Sequence, residues 1–95
     1  MDKRTAPVKR AMSALGEQTA FMRRITHMTA KTTAARAGVS LMTLRKFERG
    51  ENVELASALE ILRAVGLLEQ VVEGADPLNS EQGRARLAAY MRKSR

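Results

Sequence analysis

Cysteine is absent from these 95 residues, and so is tryptophan. Without cysteine there is no disulfide framework, no thiolate metal site and no thiol nucleophile. The single histidine, His27, cannot build a metal site without carboxylate help. Aromatics are reduced to Phe21, Phe47 and Tyr90, so Leu, Val, Ile, Ala and Met must fill the interior. Long apolar runs are missing too: none approaches the roughly 20 residues that a bilayer span requires. The opening MDKRTAPVKRAMSALG has the charges of a leader peptide without its apolar segment. A soluble cytoplasmic protein is the expectation. Convergent acid, base and nucleophile are lacking as well. The acids are scattered over what should be the outer faces of two later helices, so neither an enzyme nor a cofactor nor a metal is expected.

What is present suits one small globular domain: 44% of the residues are apolar, enough for a modest core. The net charge of +7 is laid out unevenly. Residues 23–49 hold seven basic side chains and one acidic, whereas residues 50–81 hold one basic and seven acidic. Residues 82–95 return to five basic and none acidic. A mixed, solvated surface does not usually separate charge this way. Fixed cations in the middle of the chain suggest a polyanion, because they displace counterions from phosphates. A basic patch for RNA or acidic lipid fits the same fact.

Helix formers dominate and strand alternation is absent, so the chain reads as all-α. Pro7 marks the end of a loose basic arm. Beyond it Met12, Leu15, Thr19, Met22 and Thr26 recur at helical spacing, with Phe21 and Ile25 beside them. Thr29 is suited to cap a second helix, Ala30 to Ala37. Gly38 permits the positive φ of a helix end, and Ser40 caps a third helix, Leu41 to Arg49. Leu55, Leu59, Leu62 and Val65 share one face of a fourth helix, and LLEQVVEG is a short fifth. SEQGRARLAAYMRKSR reads as a helical or flexible extension, weakened by Gly83. The resulting division is a basic arm (1–11), a helical domain (12–73), and a linker with a basic extension (74–95).

The second and third helices, joined by a tight glycine turn, have the form of a helix-turn-helix. That geometry needs a small residue at the crossing, an apolar residue after the glycine, and an apolar inner face on the third helix. Ala34, Val39, Leu44 and Phe47 supply these. Here the chain resembles the Cro/phage-repressor (Xre) family of DNA-binding proteins. The matching pieces are LG at 15–16, Arg23, AxxAGVS at 34–40 and TLRKFERG at 43–50, followed by LEILRAVGLLEQV. The resemblance covers roughly residues 12–73 and implies a five-helix lambda-repressor-like domain. Two departures weaken the expected grip on phosphate. Relatives often begin the second helix with Gln, here Ala30, and often carry a basic loop where this chain has Glu51-Asn52-Val53-Glu54. Lys3, Arg4, Lys9 and Arg10 of the arm are expected to compensate.

By periodicity Leu44 and Phe47 point inward, while Leu41, Met42, Arg45, Lys46 and Arg49 share the other side. The resemblance implies that Leu41, Met42, Arg45 and Lys46 face base edges. Arg45 or Lys46 would bond guanine O6 and N7, and Leu41 or Met42 would pack on a thymine methyl. Arg49 would sit over phosphate, Thr43 could do either, and Thr29 could reach phosphate with its hydroxyl. The alternatives are that Leu41 and Met42 pack on the protein or a partner, and that the cations are a solvated face. The resemblance also implies an ion pair between Arg23 and Glu48. His27 stands where relatives often have glycine. Arg84, Arg86, Arg92, Lys93 and Arg95 could belong to a DNA-contacting tail, a partner-binding helix or a disordered end.

The expected function is transcriptional regulation, repressor-like, by a homodimer on a two-fold site in double-stranded DNA. Leu67, Leu68, Val71, Val72 and Leu87 exceed what a small core needs and would form the dimer surface. The alternative is an antitoxin: the chain is also similar to HipB-type antitoxins, whose partners are HipA-type kinase toxins. A third reading is non-specific binding of RNA or anionic membrane by the basic ends.

Overall fold

Pro7 opens the first helix instead of closing a loose arm. In a computed structural model, described for residues 2–94, helix α1 runs Ala6–Ile25. Lys9 N–H already donates to Thr5 O at 3.0 Å, so the helical ladder begins within the expected arm. Proline's fixed φ suits a first turn, where its missing N–H has no partner to lose. Of the arm expected over 1–11, residues 6–11 belong to α1, and among the described residues 2–5 precede it.

Among the described residues five more helices follow: α2 (Ala30–Ala37), α3 (Leu41–Glu48), α4 (Leu55–Val65), α5 (Leu68–Gly74) and α6 (Glu81–Lys93). Arg95 lies outside the described residues. A single 3-10 turn, Pro77–Asn79, lies between α5 and α6. Among the described residues there is no strand, and the fold is all-α. No described helix is long and apolar enough to cross a membrane.

The α2–α3 turn is closed from both sides. Gly38, at φ 71°, stops α2, with its N–H on Ala35 O and the Val39 N–H on Ala34 O. A side chain there would strain the left-handed backbone that this pair of bonds requires. Ser40 then accepts from the Thr43 N–H at 3.0 Å and starts α3. At the end of α1 the same pair of bonds forms around His27, from His27 N–H to Arg24 O and from Met28 N–H to Arg23 O. His27 thus holds φ 59° without being glycine.

The core lies where α1, α2, α3 and α4 meet. Leu44 and Ile61 are fully buried, with Ala34, Ala37, Phe47 and Leu62 packed around them. Burying Leu44 and Phe47 stabilises the domain by about 2 kcal/mol each. Arg63 of α4 donates to Arg36 O at 2.9 Å, satisfying a carbonyl near the end of α2. Leu55, grouped by periodicity with the core face, is 73% exposed. As the first residue of α4 it projects past the core's edge, beside Met12, Leu15 and Val53. Gly83, expected to weaken α6, also has a packing role. A Cβ there would strike the Pro77 carbonyl, so the glycine is what lets α6 sit on the 3-10 turn.

Candidate functional site

Helix α3 presents two sides of opposite character. Leu44 and Phe47 enter the core, while Met42, Arg45, Lys46 and Arg49 are exposed and Leu41 is 39% exposed. An eight-residue helix is marginal alone, so its rigidity has to come from its ends and its buried side. Ser40 caps the N-terminus. At the C-terminus, the Gly50 and Glu51 N–H groups close onto Phe47 O and Lys46 O.

Helix α1 fixes the height at which α3 stands. Gly16 is buried, and a Cβ there would collide with the carbonyl oxygens of Phe47 and Glu48. Two backbones meet at that point. Close by, Arg23 makes a two-pronged bond to Glu48: Nε to Oε2 at 2.8 Å and Nη2 to Oε1 at 3.0 Å. Arg23 Nη1 also donates to Met28 O at 3.3 Å, tying the α1–α2 turn to the same guanidinium. The side chains of the pair are 15% and 13% exposed. The Glu48 hydrogen bonds raise the Arg23 pKa further above its ordinary value, against a smaller opposing effect of burial. The only acid on α3 is thereby neutralised within the fold.

Between α1 and α3 runs an open cleft of about 760 Å³. Glu17, Phe21 and Arg24 line it from α1, Arg45 and Glu48 from α3, and Arg49 at the residue that ends α3. Phe21 is 55% exposed, a large apolar surface to leave in water beside three guanidinium groups. Sequence reasoning passed over Phe21 and Arg24 as site residues. Their signal was weak: an aromatic off the core stripe, and a cation among many.

The expected site residues divide into three groups. Leu41, Met42, Arg45, Lys46 and Arg49 are brought together on one side of α3. Thr43 is half-buried, and its Oγ1 accepts from Ser40 Oγ at 2.9 Å, which directs it into the cap. Thr29 stands at the opening of α2, where its hydroxyl accepts from the Thr32 N–H and donates to Thr32 Oγ1, both at 3.0 Å. It is exposed there, but the hydroxyl already serves its own helix.

Three of the cations expected to grip phosphate have partners inside the chain. Arg49 Nε pairs with Glu51, holding that carboxyl below its usual range. Arg4 bonds both carboxylate oxygens of Asp2 at 2.8 Å, and Lys9 lies 3.7 Å from the same group. Hydrogen bonds from Arg4 hold Asp2 far below the ordinary carboxylate range. Both clusters are exposed, so solvent and salt weaken them.

Compared with protein-family models, with curated proteins and with solved structures, the chain matches none. The site's function has to be read from its own chemistry.

Proposed function

We propose that α2, the turn and α3 form a helix-turn-helix in a lambda-repressor-like domain, and that α3 reads double-stranded DNA in the major groove. One observation carries this reading. A helix pinned by Ser40, Gly16 and the Arg23–Glu48 pair turns Leu41, Met42, Arg45, Lys46 and Arg49 outward as a single stripe. The major groove is wide enough for an α-helix and offers a distinct donor and acceptor pattern for each base pair. Arg45 and Lys46 suit guanine O6 and N7, and Leu41 and Met42 suit a thymine methyl. Each well-formed two-pronged contact discriminates by about 1–3 kcal/mol. Arg49 and Arg24 suit the flanking phosphates. The first N–H groups of α2, in the helix that Thr29 caps, offer a further phosphate contact, and Thr43 supports α3 from its cap.

The biological role that follows is a repressor-like regulator in the cytoplasm of a bacterium or phage-infected cell, acting as a homodimer on paired half-sites. The test is binding of the purified protein to DNA from upstream of its own gene, beside an unrelated fragment of equal length, at two salt concentrations. Preference for the upstream fragment that survives at the higher salt supports sequence reading. Equal affinity for both, falling together as salt rises, overturns it in favour of plain phosphate attraction.

A further inference from the structure

The cleft between α1 and α3 is graded along its length. Glu17, Phe21 and Arg24 line it from successive turns of α1, sharing one face over about 10 Å of helix. A Cβ on Gly50 would strike Ser13, and one on Gly16 would strike the Phe47 and Glu48 carbonyls, so α3 runs back along α1 in the opposite sense. Arg45, near the start of α3, therefore stands toward the Arg24 end of the cleft. Its volume of about 760 Å³ lies within the range of small-molecule sites.

The two ends differ in charge, and an aromatic ring lies between them. Among the described residues neither the Arg24 nor the Arg45 guanidinium forms an ion pair. Glu48 also lines the cleft, but Arg23 takes both of its oxygens. At the other end the Glu17 carboxylate has no cation paired to it among the described residues. Phe21 stands between these ends, more than half exposed. A simple anion would use the arginines, leave the ring bare and be repelled by Glu17. A neutral aromatic would leave both cations unanswered. A molecule that uses all of them has an anionic group at one end, a flat ring in the middle and N–H donors at the far edge.

We propose that this cleft binds a purine nucleoside monophosphate, with phosphate on Arg24 and Arg45, base stacked on Phe21, and the base's N–H groups donating to Glu17. Charge-assisted bonds from two guanidiniums hold the phosphate, and any base can stack on the ring. Guanine is preferred, because its adjacent ring N–H and amino group both meet one acceptor-only carboxylate, whereas adenine offers its amino group alone. Nucleotide binding is measured with no DNA present, so it stands or falls apart from the DNA reading. Where that reading also holds, nucleotide and duplex compete for Arg45, and a filled cleft releases the DNA.

The test is calorimetric titration of the intact chain with GMP at physiological ionic strength, beside AMP, guanosine and ribose 5-phosphate. The same titrations are run on Phe21→Ala, Phe21→Tyr and Glu17→Gln. Both positions are exposed, so each variant should keep the wild-type melting transition. GMP is expected to bind saturably at one site, with guanosine and ribose 5-phosphate each at least about tenfold weaker. Phe21→Ala should weaken GMP by about tenfold, and Phe21→Tyr should keep it. Glu17→Gln should narrow the gap between GMP and AMP. Absence of saturable GMP binding overturns the proposal. Ribose 5-phosphate bound as tightly as GMP, or GMP binding indifferent to Phe21→Ala, overturns it in favour of plain phosphate attraction. AMP bound as tightly as GMP overturns it too, because Glu17 then does not meet the base.

Discussion

Arg23 on α1 and Glu48 on α3 are joined by two parallel hydrogen bonds, across 25 residues of chain and largely out of water. Removing the carboxylate leaves a largely buried guanidinium with only the Met28 carbonyl to answer it, which destabilises by about 3 kcal/mol. Glu48→Ala should therefore lower the melting temperature by more than about 10 °C. Glu51→Ala removes a pair that solvent already screens and should change it little. Equal shifts in thermal melts of the two variants would remove the structural role given to Glu48.

Gly16→Ala should destabilise the domain, although alanine is the better helix former by about 1 kcal/mol. The new methyl meets the Phe47 and Glu48 carbonyl oxygens, and forcing the helices apart costs about 1–3 kcal/mol. Gly74→Ala, at a helical position with open space around it, is the control and should be neutral or stabilising. Urea titrations of both variants decide it. A more stable Gly16→Ala would mean that α1 and α3 do not touch at this point.

Thr19→Val should raise stability by about 1 kcal/mol. Thr19 is fully buried and its Oγ1 has no hydrogen-bond partner, so the hydroxyl contributes only its desolvation. Valine has nearly the same shape. A melting temperature several degrees higher is the expected reading, and a lower one would show that the hydroxyl holds a bond within the native domain.

Much of this architecture was legible because its punctuation is local. Thr29, Gly38 and Ser40 each act on backbone groups within four residues, so α2 and the start of α3 follow from cap chemistry alone. The outward stripe of α3 was legible for a similar reason, since helical periodicity separates it from Leu44 and Phe47. The start of α1 was not, because Pro7 is equally at home ending a segment and opening a helix. Gly83 looked like a flaw in α6 because propensity knows nothing of Pro77 lying against it. Leu55 misled through the same limit: periodicity names a face but not how far along it the core extends. Phe21 and Arg24 depend on how α1 crosses α3, and that crossing is set by Gly16 and by the Arg23–Glu48 pair together.

Glu51→Gln should strengthen DNA binding severalfold. Arg49 is held by the Glu51 carboxylate, and the neutral amide releases that cation for phosphate while removing a like charge from the approaching backbone. Affinity measured against salt should show a steeper slope for the variant than for the wild type. Unchanged affinity and slope would mean that Arg49 stands away from the nucleic acid.

The outward stripe of α3 is tested most directly by selecting binding sites from a pool of random duplexes, once with the wild type and once with Arg45→Ala. The wild type should enrich a short motif with two-fold symmetry, and Arg45→Ala should enrich the same motif with its preference lost at one guanine in each half. No motif from the wild type, or an identical motif from the variant, would contradict the placement of Arg45 against the bases.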